Sequence, residues 1–469
     1  MIPLSLEAVA AAVGGRLYDV PDPSVLMSAP AVVDSRAVGP GGLFAALPGE
    51  HADGHAFAAN AVKAGAVAVL AIRPVGVPAV VVDDVLDALA ALARTVLAAV
   101  PEATVIGLTG SAGKTSTKDL LAQVLPEIGP TIATVKSFNG EIGMPLTVTH
   151  LDRSVRYVVL EMGARGIGHI AHLTRIAPPA VGLVLNVGTA HVGEFGGREQ
   201  IAQAKGELVE ALPEDGLAVL NADDPLVAAM APRTRARVLT FGVGNDADVR
   251  ALDVAVDTSG RPSFTLAADG ARARVDLSLH GVHHVSNALA AAAVAIGLGV
   301  GVEKTAGALS RAVLVASGRM EVTDRPDGVR IINDAFNANP DSMKAAFTAL
   351  AAMATDGRRT VAILGEMKEL GADGTEEHRG VGRLVAAAGI DVLIAVGADD
   401  ARTLATAAHA DNPRLTVAHA DDRDRALTLA HDLIRPGDIV LVKGSHSVEL
   451  EHTAQRLAAE ARFPGGGGA

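Results

Sequence analysis

The sequence predicts an α/β protein of three domains: a small α/β amino-terminal domain over residues 1–100, a central domain on a parallel sheet over 101–315, and a Rossmann-like carboxy-terminal domain over 316–469. Three observations carry that expectation. The 469 residues suggest about three units on a prior of roughly 150 residues each. Short apolar runs at 105–108, 157–160, 181–185 and 217–220, and again at 361–364, 392–396 and 438–442, alternate with helical patterns and end in polar or glycine-containing turns. Hydrophobic residues make up 49% of the chain but aromatic ones only 2%, so small side chains fill the cores, which favours close helix–sheet packing.

Composition excludes several classes of function. A net charge of −13 without a cluster of Lys or Arg argues against a nucleic-acid partner, because nothing could displace counterions from a phosphate backbone. The absence of cysteine excludes disulfides and thiolate chemistry and suits a reducing compartment. Met1 to Gly15 has no positive n-region and includes Glu7, so it does not read as a signal peptide. The longest apolar run, Ala288 to Val302, is too short and too rich in Ala and Gly to span a bilayer. A soluble, cytoplasmic protein without membrane insertion is expected.

In the first domain, Ala31-Val32-Val33 reads as a strand running into Asp34-Ser35-Arg36, and Gly41 to Leu47 as a second strand after a Pro-Gly turn. A helical Ala-rich segment to Ala64 and strands near Ala66–Leu70 and Ala79–Val82 follow. Arg36 and its Gly-rich neighbourhood suit either contact with an anion or a solvated turn.

The central domain opens on VIGLTGSAGKTSTKDLL, residues 105–121. Strand, glycine-rich turn and helix is the architecture that holds phosphate. Backbone N–H groups of Gly110, Ser111, Ala112 and Gly113 lie unobstructed at a positive helix end, Lys114 adds a charge, and the Thr115 hydroxyl beside Ser116 can ligate Mg²⁺. Leu108 stands where the strict P-loop pattern has its first glycine. The motif therefore says that the domain binds a nucleoside triphosphate and little more. Ligands in such sheets collect beyond the carboxyl ends of the strands, which directs attention to Glu161-Met162-Gly163, Asn186 to His191, and Asn221 to Asp224. Glu161 suits a metal or the capping of the next turn, and the metal is favoured because a triphosphate needs one. His191 is open between a metal ligand and a hydrogen-bonding histidine.

Lys205 is the sharpest physical clue outside the loop. On a helix from Glu199 to Leu212, Ile201, Leu208, Val209 and Leu212 form the apolar stripe, with Glu199, Gln203, Glu207 and Glu210 opposite. Lys205 falls in the middle of the stripe. It must snorkel, find an anionic partner, or lose its proton; a neutral amine there could capture CO₂ as a carbamate. Downstream, His283-His284-Val285-Ser286-Asn287 opens an Ala-rich helix, putting His283 and Asn287 on one face, with capping by Ser286 or Asn287 as the competing account.

The third domain begins at Ser317-Gly318-Arg319-Met320-Glu321. A strand over Val329–Asn333 leads to Asp334-Ala335-Phe336-Asn337-Ala338-Asn339-Pro340, and Pro340 after Asn339 predicts a helix start. Later turns carry Gly365-Glu366-Met367, His378 and Lys443-Gly444-Ser445, and a disordered Gly-rich tail is expected at 465–469.

These stretches occur in the order in which they resemble the Mur ligases, the ATP-dependent amide-forming enzymes of peptidoglycan precursor synthesis. The resemblance covers almost the whole chain through TGSAGKTS (109–116), LEMG (160–163), NVGTAHVGEFG (186–196), AKGEL (204–208), HHVSNALAA (283–291), GRME (318–321), NDAFNANPDSM (333–343) and LVKGSHS (441–447). Within the family, DAFNANPDSM and the amino-terminal DSRAVGPGGLFAALPGEHADGH are most similar to the branch that joins D-alanyl-D-alanine to UDP-N-acetylmuramoyl-tripeptide. The sister branch that adds the third amino acid is the nearest alternative, and a P-loop switch or motor is the alternative of another class. The resemblance implies roles in cell-wall biogenesis, cell shape and division, with ATP and Mg²⁺ as cofactors and a monomeric enzyme. It implies that Lys114 is a phosphate ligand and that Thr115 binds Mg²⁺. It further implies that Glu161 and His191 hold a second metal together with Lys205 as a carbamate, that Asn287 faces adenine, that Arg319 meets the γ-phosphate, and that Asp334 binds ribose. Asn337 and Asn339 would lie near the incoming dipeptide, and Asp34, Ser35, Arg36 and Phe44 near the UDP-sugar. His284 and residues 137–140 depart from the family pattern.

Overall fold

The structure, a computed structural model, describes residues 1–49, 52–135, 137–188, 195–244, 246–355 and 357–460. His191 and the Gly-rich tail lie outside the described residues. Among the described residues three α/β layers follow one another along the chain, each with its own main sheet.

The first has five strands, in the order Arg16–Tyr18, Ala79–Val81, Ala66–Ala71, Gly42–Ala45, Ala31–Val32. The sequence reading had overlooked two of its helices, Leu6–Val13 and Val85–Ala98. Asp84 caps the second by accepting from the backbone N–H of Leu86 and Asp87.

The central sheet has nine strands, in the order Ala271–Asp276, Pro262–Ala268, Val249–Val256, Arg237–Gly242, Leu217–Asn221, Val181–Val184, Thr104–Thr109, Tyr157–Glu161, Thr131–Ala133. The expected parallel arrangement holds from Thr131 to the first residues of Val249–Val256. Beyond it the parallel sheet is extended by antiparallel pairings. Asp269-Gly270 turns that last hairpin, both residues at positive φ, the conformation a tight two-residue turn requires.

The third sheet runs Glu321–Asp324, Arg330–Asp334, Ile439–Lys443, Thr360–Gly365, Val392–Val396, Thr416–Ala420, parallel except at its first strand. Its helix Pro340–Met353 starts as expected, with Asn339 and Ser342 forming a reciprocal capping box. The helix carrying Lys205 spans Arg198–Glu210 with Ile201, Leu208 and Val209 buried. One position on its polar face is corrected. Glu207 is buried and accepts from the backbone N–H of Gly168 (2.5 Å) and Ala171 (2.9 Å), capping the neighbouring helix His169–Ile176.

No helix among the described residues is long and apolar enough to cross a membrane.

Candidate active site

The strand Thr104–Thr109 lies inside the central sheet, and its carboxyl end opens into the loop 110–113 and the helix Lys114–Val124. Gly113 has φ 81°, and a Cβ there would overlap the Asn287 side chain, so glycine is required on both counts. Asn186, a residue to which the sequence reading gave no role, fastens the loop. Its Oδ1 accepts from Ala112 N (2.9 Å), its Nδ2 donates to Ala112 O (3.1 Å), and its carbonyl accepts from Ser111 N (3.2 Å). Gly188 N donates to Ser111 Oγ (3.0 Å). The Lys114 ammonium folds back onto Gly110 O (2.8 Å), inside the concavity a phosphate would fill.

Register puts Glu161 beside Leu108 at the end of the adjacent strand. The carboxylate is 1% exposed and accepts from Thr115 Oγ1 (2.9 Å) and Asn139 Nδ2 (2.8 Å), while Thr115 Oγ1 also lies 3.1 Å from Ser137 Oγ. Hydroxyl and carboxylate oxygens are the donors Mg²⁺ selects.

Two lysines share this wall, Lys114 half-buried and Lys205 buried. Burial lowers the pKa of Lys114, opposed by the Glu161 charge and reinforced by Arg319. Lys205, 5% exposed, is held well below the ordinary lysine value by burial and then by the Lys114 charge. Among the described residues the Lys205 amine has no hydrogen-bonding partner, so the lowering is not offset. The expectation of an amine on an apolar face is met.

The helix His284–Gly297 brings His283, His284 and Asn287 to the same cavity. Neither Ser286 nor Asn287 caps it; Asn287 Nδ2 instead lies 3.3 Å from His284 Nδ1. Burial lowers the pKa of both histidines, and His283 Nδ1 and His284 Nε2 are buried without partners among the described residues.

The third layer closes the cavity from the other side. Arg319 is stacked over the Phe336 ring, 4.4 Å from its centroid, and reaches Ser137 Oγ at 3.4 Å, its Nε without a hydrogen-bond partner among the described residues. Asp334 is bound by Lys443 Nζ (2.7 Å) and Met320 N (3.1 Å). Asn339 spends its side-chain oxygen on its own helix. Asn337 is exposed, its side-chain oxygen accepting from Ala338 N (2.8 Å). The resulting cavity, about 850 Å³, is lined by all residues from Gly110 to Ser116 together with Glu161, Lys205, Asn287, Arg319, Asp334, Asn337 and Asn339.

Four expected site residues do not line it. Asp34 and Arg36 pair with each other at the surface (2.8 Å), which lowers the Asp34 pKa to about 2, and Ser35 lies between them. Phe44 is 1% exposed in an apolar cluster with Val38, Ala58 and Val69, and its strand is paired on both sides, so its ring is occupied in packing.

Comparison with known proteins supplies the context. Residues 32–97 match the model for the Mur ligase family catalytic domain, residues 108–295 the Mur ligase middle domain, and residues 318–446 the Mur ligase glutamate ligase domain. The chain is 48% identical to a Mycobacterium tuberculosis protein named UDP-N-acetylmuramoyl-tripeptide--D-alanyl-D-alanine ligase, over 98% of each chain. It superposes on a crystal structure of MurF from Acinetobacter baumannii with a TM-score of 0.87 at 31% identity, covering 98% of this chain and 100% of the other. A MurF ligase from Thermotoga maritima in complex with ADP gives a TM-score of 0.79 at 30% identity, covering 93% and 98%.

Proposed function

The chain belongs to the Mur ligase family, and on that premise we infer that it joins D-alanyl-D-alanine to UDP-N-acetylmuramoyl-tripeptide at the expense of ATP, a step of peptidoglycan precursor synthesis. The observation that carries the chemistry is the single cavity in which the phosphate loop and Lys205 face Arg319 and Asp334.

A carboxylate is a poor electrophile at neutral pH, so forming an amide requires its activation. Transfer of the ATP γ-phosphoryl group to the tripeptide carboxylate gives an acyl phosphate. The dipeptide amine attacks the acyl carbon, the tetrahedral intermediate expels phosphate, and the amine loses its proton. The loop amides and Lys114 hold the phosphates, and Lys114 exchanges Gly110 O for a phosphate oxygen. Arg319, whose Nε has no partner among the described residues, offers its guanidinium to the charge that develops on the transferring group. Asn287 and Asp334 are the candidates for the adenine and ribose, and Asn337 and Asn339 for the dipeptide side.

Thr115 and Glu161 would hold Mg²⁺, which when bound supplies neutralisation of the phosphate oxygens. Lys205 is suited to carbamylation because its neutral form is favoured: CO₂ adds to the amine, one N–H proton leaves, and a buried neutral amine becomes an anion able to bind metal. His191 belongs to the same proposal. The sugar nucleotide is assigned to the first layer near Asp34, Ser35 and Arg36, with domain boundaries near residues 100 and 315. On this reading the enzyme acts as a monomer in the cytoplasm, where ATP and the sugar nucleotide are found.

Phosphate release from ATP tests the assignment. It should require both UDP-N-acetylmuramoyl-tripeptide and D-alanyl-D-alanine. Turnover with the dipeptide precursor and meso-diaminopimelate or L-lysine would point to the sister branch. Release independent of both amide substrates would make the chain a nucleotide-driven switch and end the ligase reading.

A further inference from the structure

We propose that Lys443 is a positioning residue for Arg319, acting through Asp334; the proposal rests on the ligase reading above. Parallel register pairs Asp334 with Lys443 at the carboxyl ends of the strands Arg330–Asp334 and Ile439–Lys443. The Lys443 ammonium is buried and bridges Asp334 Oδ2 (2.7 Å) and Asn337 O (2.8 Å), tying the loop after one strand to the end of the next. The other carboxylate oxygen, Oδ1, accepts from Met320 N (3.1 Å). Met320 has φ 51°, a conformation rare for a side chain of its size and one that persists only where its surroundings hold it. Arg319 immediately precedes it. Gly318 O accepts from Phe336 N (3.1 Å), and the Phe336 ring carries the guanidinium.

A charge argument explains why a lysine is suited to this place. Asp334 is among the charges that act on Arg319, and a carboxylate with no other cation would pair with that guanidinium directly. Lys443 supplies that cation through Asp334 Oδ2. Arg319 is then left, among the described residues, with a buried and unpartnered Nε, its guanidinium held over the Phe336 ring and near Ser137 Oγ without a direct carboxylate pair. Lys443 thus keeps the arginine available to the transferring phosphoryl group.

The test is a double-mutant cycle of Lys443→Met and Arg319→Ala, read as kcat and KM for ATP in dipeptide-dependent phosphate release, with ADP binding as a second readout. ADP lacks the γ-phosphate. Lys443→Met should lower kcat about 100-fold, the scale of losing one transition-state stabiliser, and change ADP affinity less than about 3-fold. The double variant should be no slower than Arg319→Ala within about 3-fold, since residues acting as a unit are non-additive. Lys443→Arg should recover at least about 10-fold of the lost kcat. Losses that multiply in the double variant, or a loss of ADP affinity parallel to that of kcat, would overturn the proposal. If Lys443→Met does not fold, Lys443→Gln, which removes the charge but keeps a hydrogen-bond donor and leaves Asp334 in place, enters the same cycle with the same criteria. A wild type that releases phosphate without amide substrates overturns the ligase reading instead, and the cycle is then read on that hydrolysis.

Discussion

Where the first layer meets the central one, the helix Val85–Ala98 packs on the helix Gly143–Val148, and one apolar cluster runs through both, including Leu89, Leu92 and Val96 on one side and Met144, Val148 and Leu151 on the other. Ala31 N donates to Thr149 Oγ1 across the same boundary (3.1 Å). Where the third layer meets the central one, the cores are separate clusters and much of the junction is polar. Gln123 pairs both ways with the Val313 backbone (2.6 and 3.0 Å), Asp119 accepts from Val315 N and Ala316 N (3.2 and 3.1 Å), Arg319 reaches Ser137, and Arg165 meets Glu369 (3.5 Å). A continuous apolar core resists separation because water would have to cover it, whereas polar seams exchange their partners with water at small cost. The chemistry lies at the second junction. The residues that hold the linker, Asp119 and Gln123, belong to the same helix whose first turn carries Lys114 and Thr115, so the phosphate loop and the start of the third layer share one rigid element.

If this contrast is right, changes at the seam should cost activity and changes at the weld should cost stability. The largest effect is expected for Lys205→Ala, which should lose activity by about 10³-fold, with part restored by added acetate, in keeping with a carboxylate role that a structural lysine would not have. Its stability should not fall. Because the folded-state pKa of Lys205 lies below the usual 10.5, the unfolded chain binds the proton more tightly, so the wild type without CO₂ should gain stability relative to the variant as pH rises toward 10.5. Denaturant titration across that range checks the sign. Met144→Ala at the weld should do the opposite, lowering unfolding free energy by about 2–5 kcal/mol while leaving kcat per folded molecule near wild type. Gln123→Ala should cost about 1 kcal/mol, through the two hydrogen bonds to Val313, and should raise hydrogen exchange in residues 312–317. Arg165→Ala, which breaks an exposed pair, should change stability by less than about 1 kcal/mol.

What could be read from the sequence follows the range of the interactions involved. Gly110 to Thr115 is legible because loop, charge and hydroxyl are neighbours in the chain, and Lys205 because helical periodicity alone places it among buried residues. The clamp by Asn186 is not, since its partner Ala112 lies 74 residues away and nothing local marks an asparagine that fastens a loop. The same holds for Lys443 and Asp334, 109 residues apart and joined only by strand register. Glu207 was misplaced because helical phase assigns a face but not the neighbour that face meets; here a helix N-terminus draws the carboxylate inward. Phe44 shows the converse. A strand beside a candidate anion site invites a ligand role, and burial on all sides leaves its ring none.

The chain has no cysteine, so labels can be placed singly or in pairs at will. Lys63, Arg272 and Thr406 are exposed on the first, central and third layers. Spin-label distances between Lys63→Cys and Arg272→Cys, and between Arg272→Cys and Thr406→Cys, should be recorded with and without a non-hydrolysable ATP analogue plus UDP-N-acetylmuramoyl-tripeptide. The second distance should shift on ligand binding and the first should not. If both distances shift together, or if neither moves while the enzyme turns over, then the site does not close at the polar seam against a fixed apolar weld.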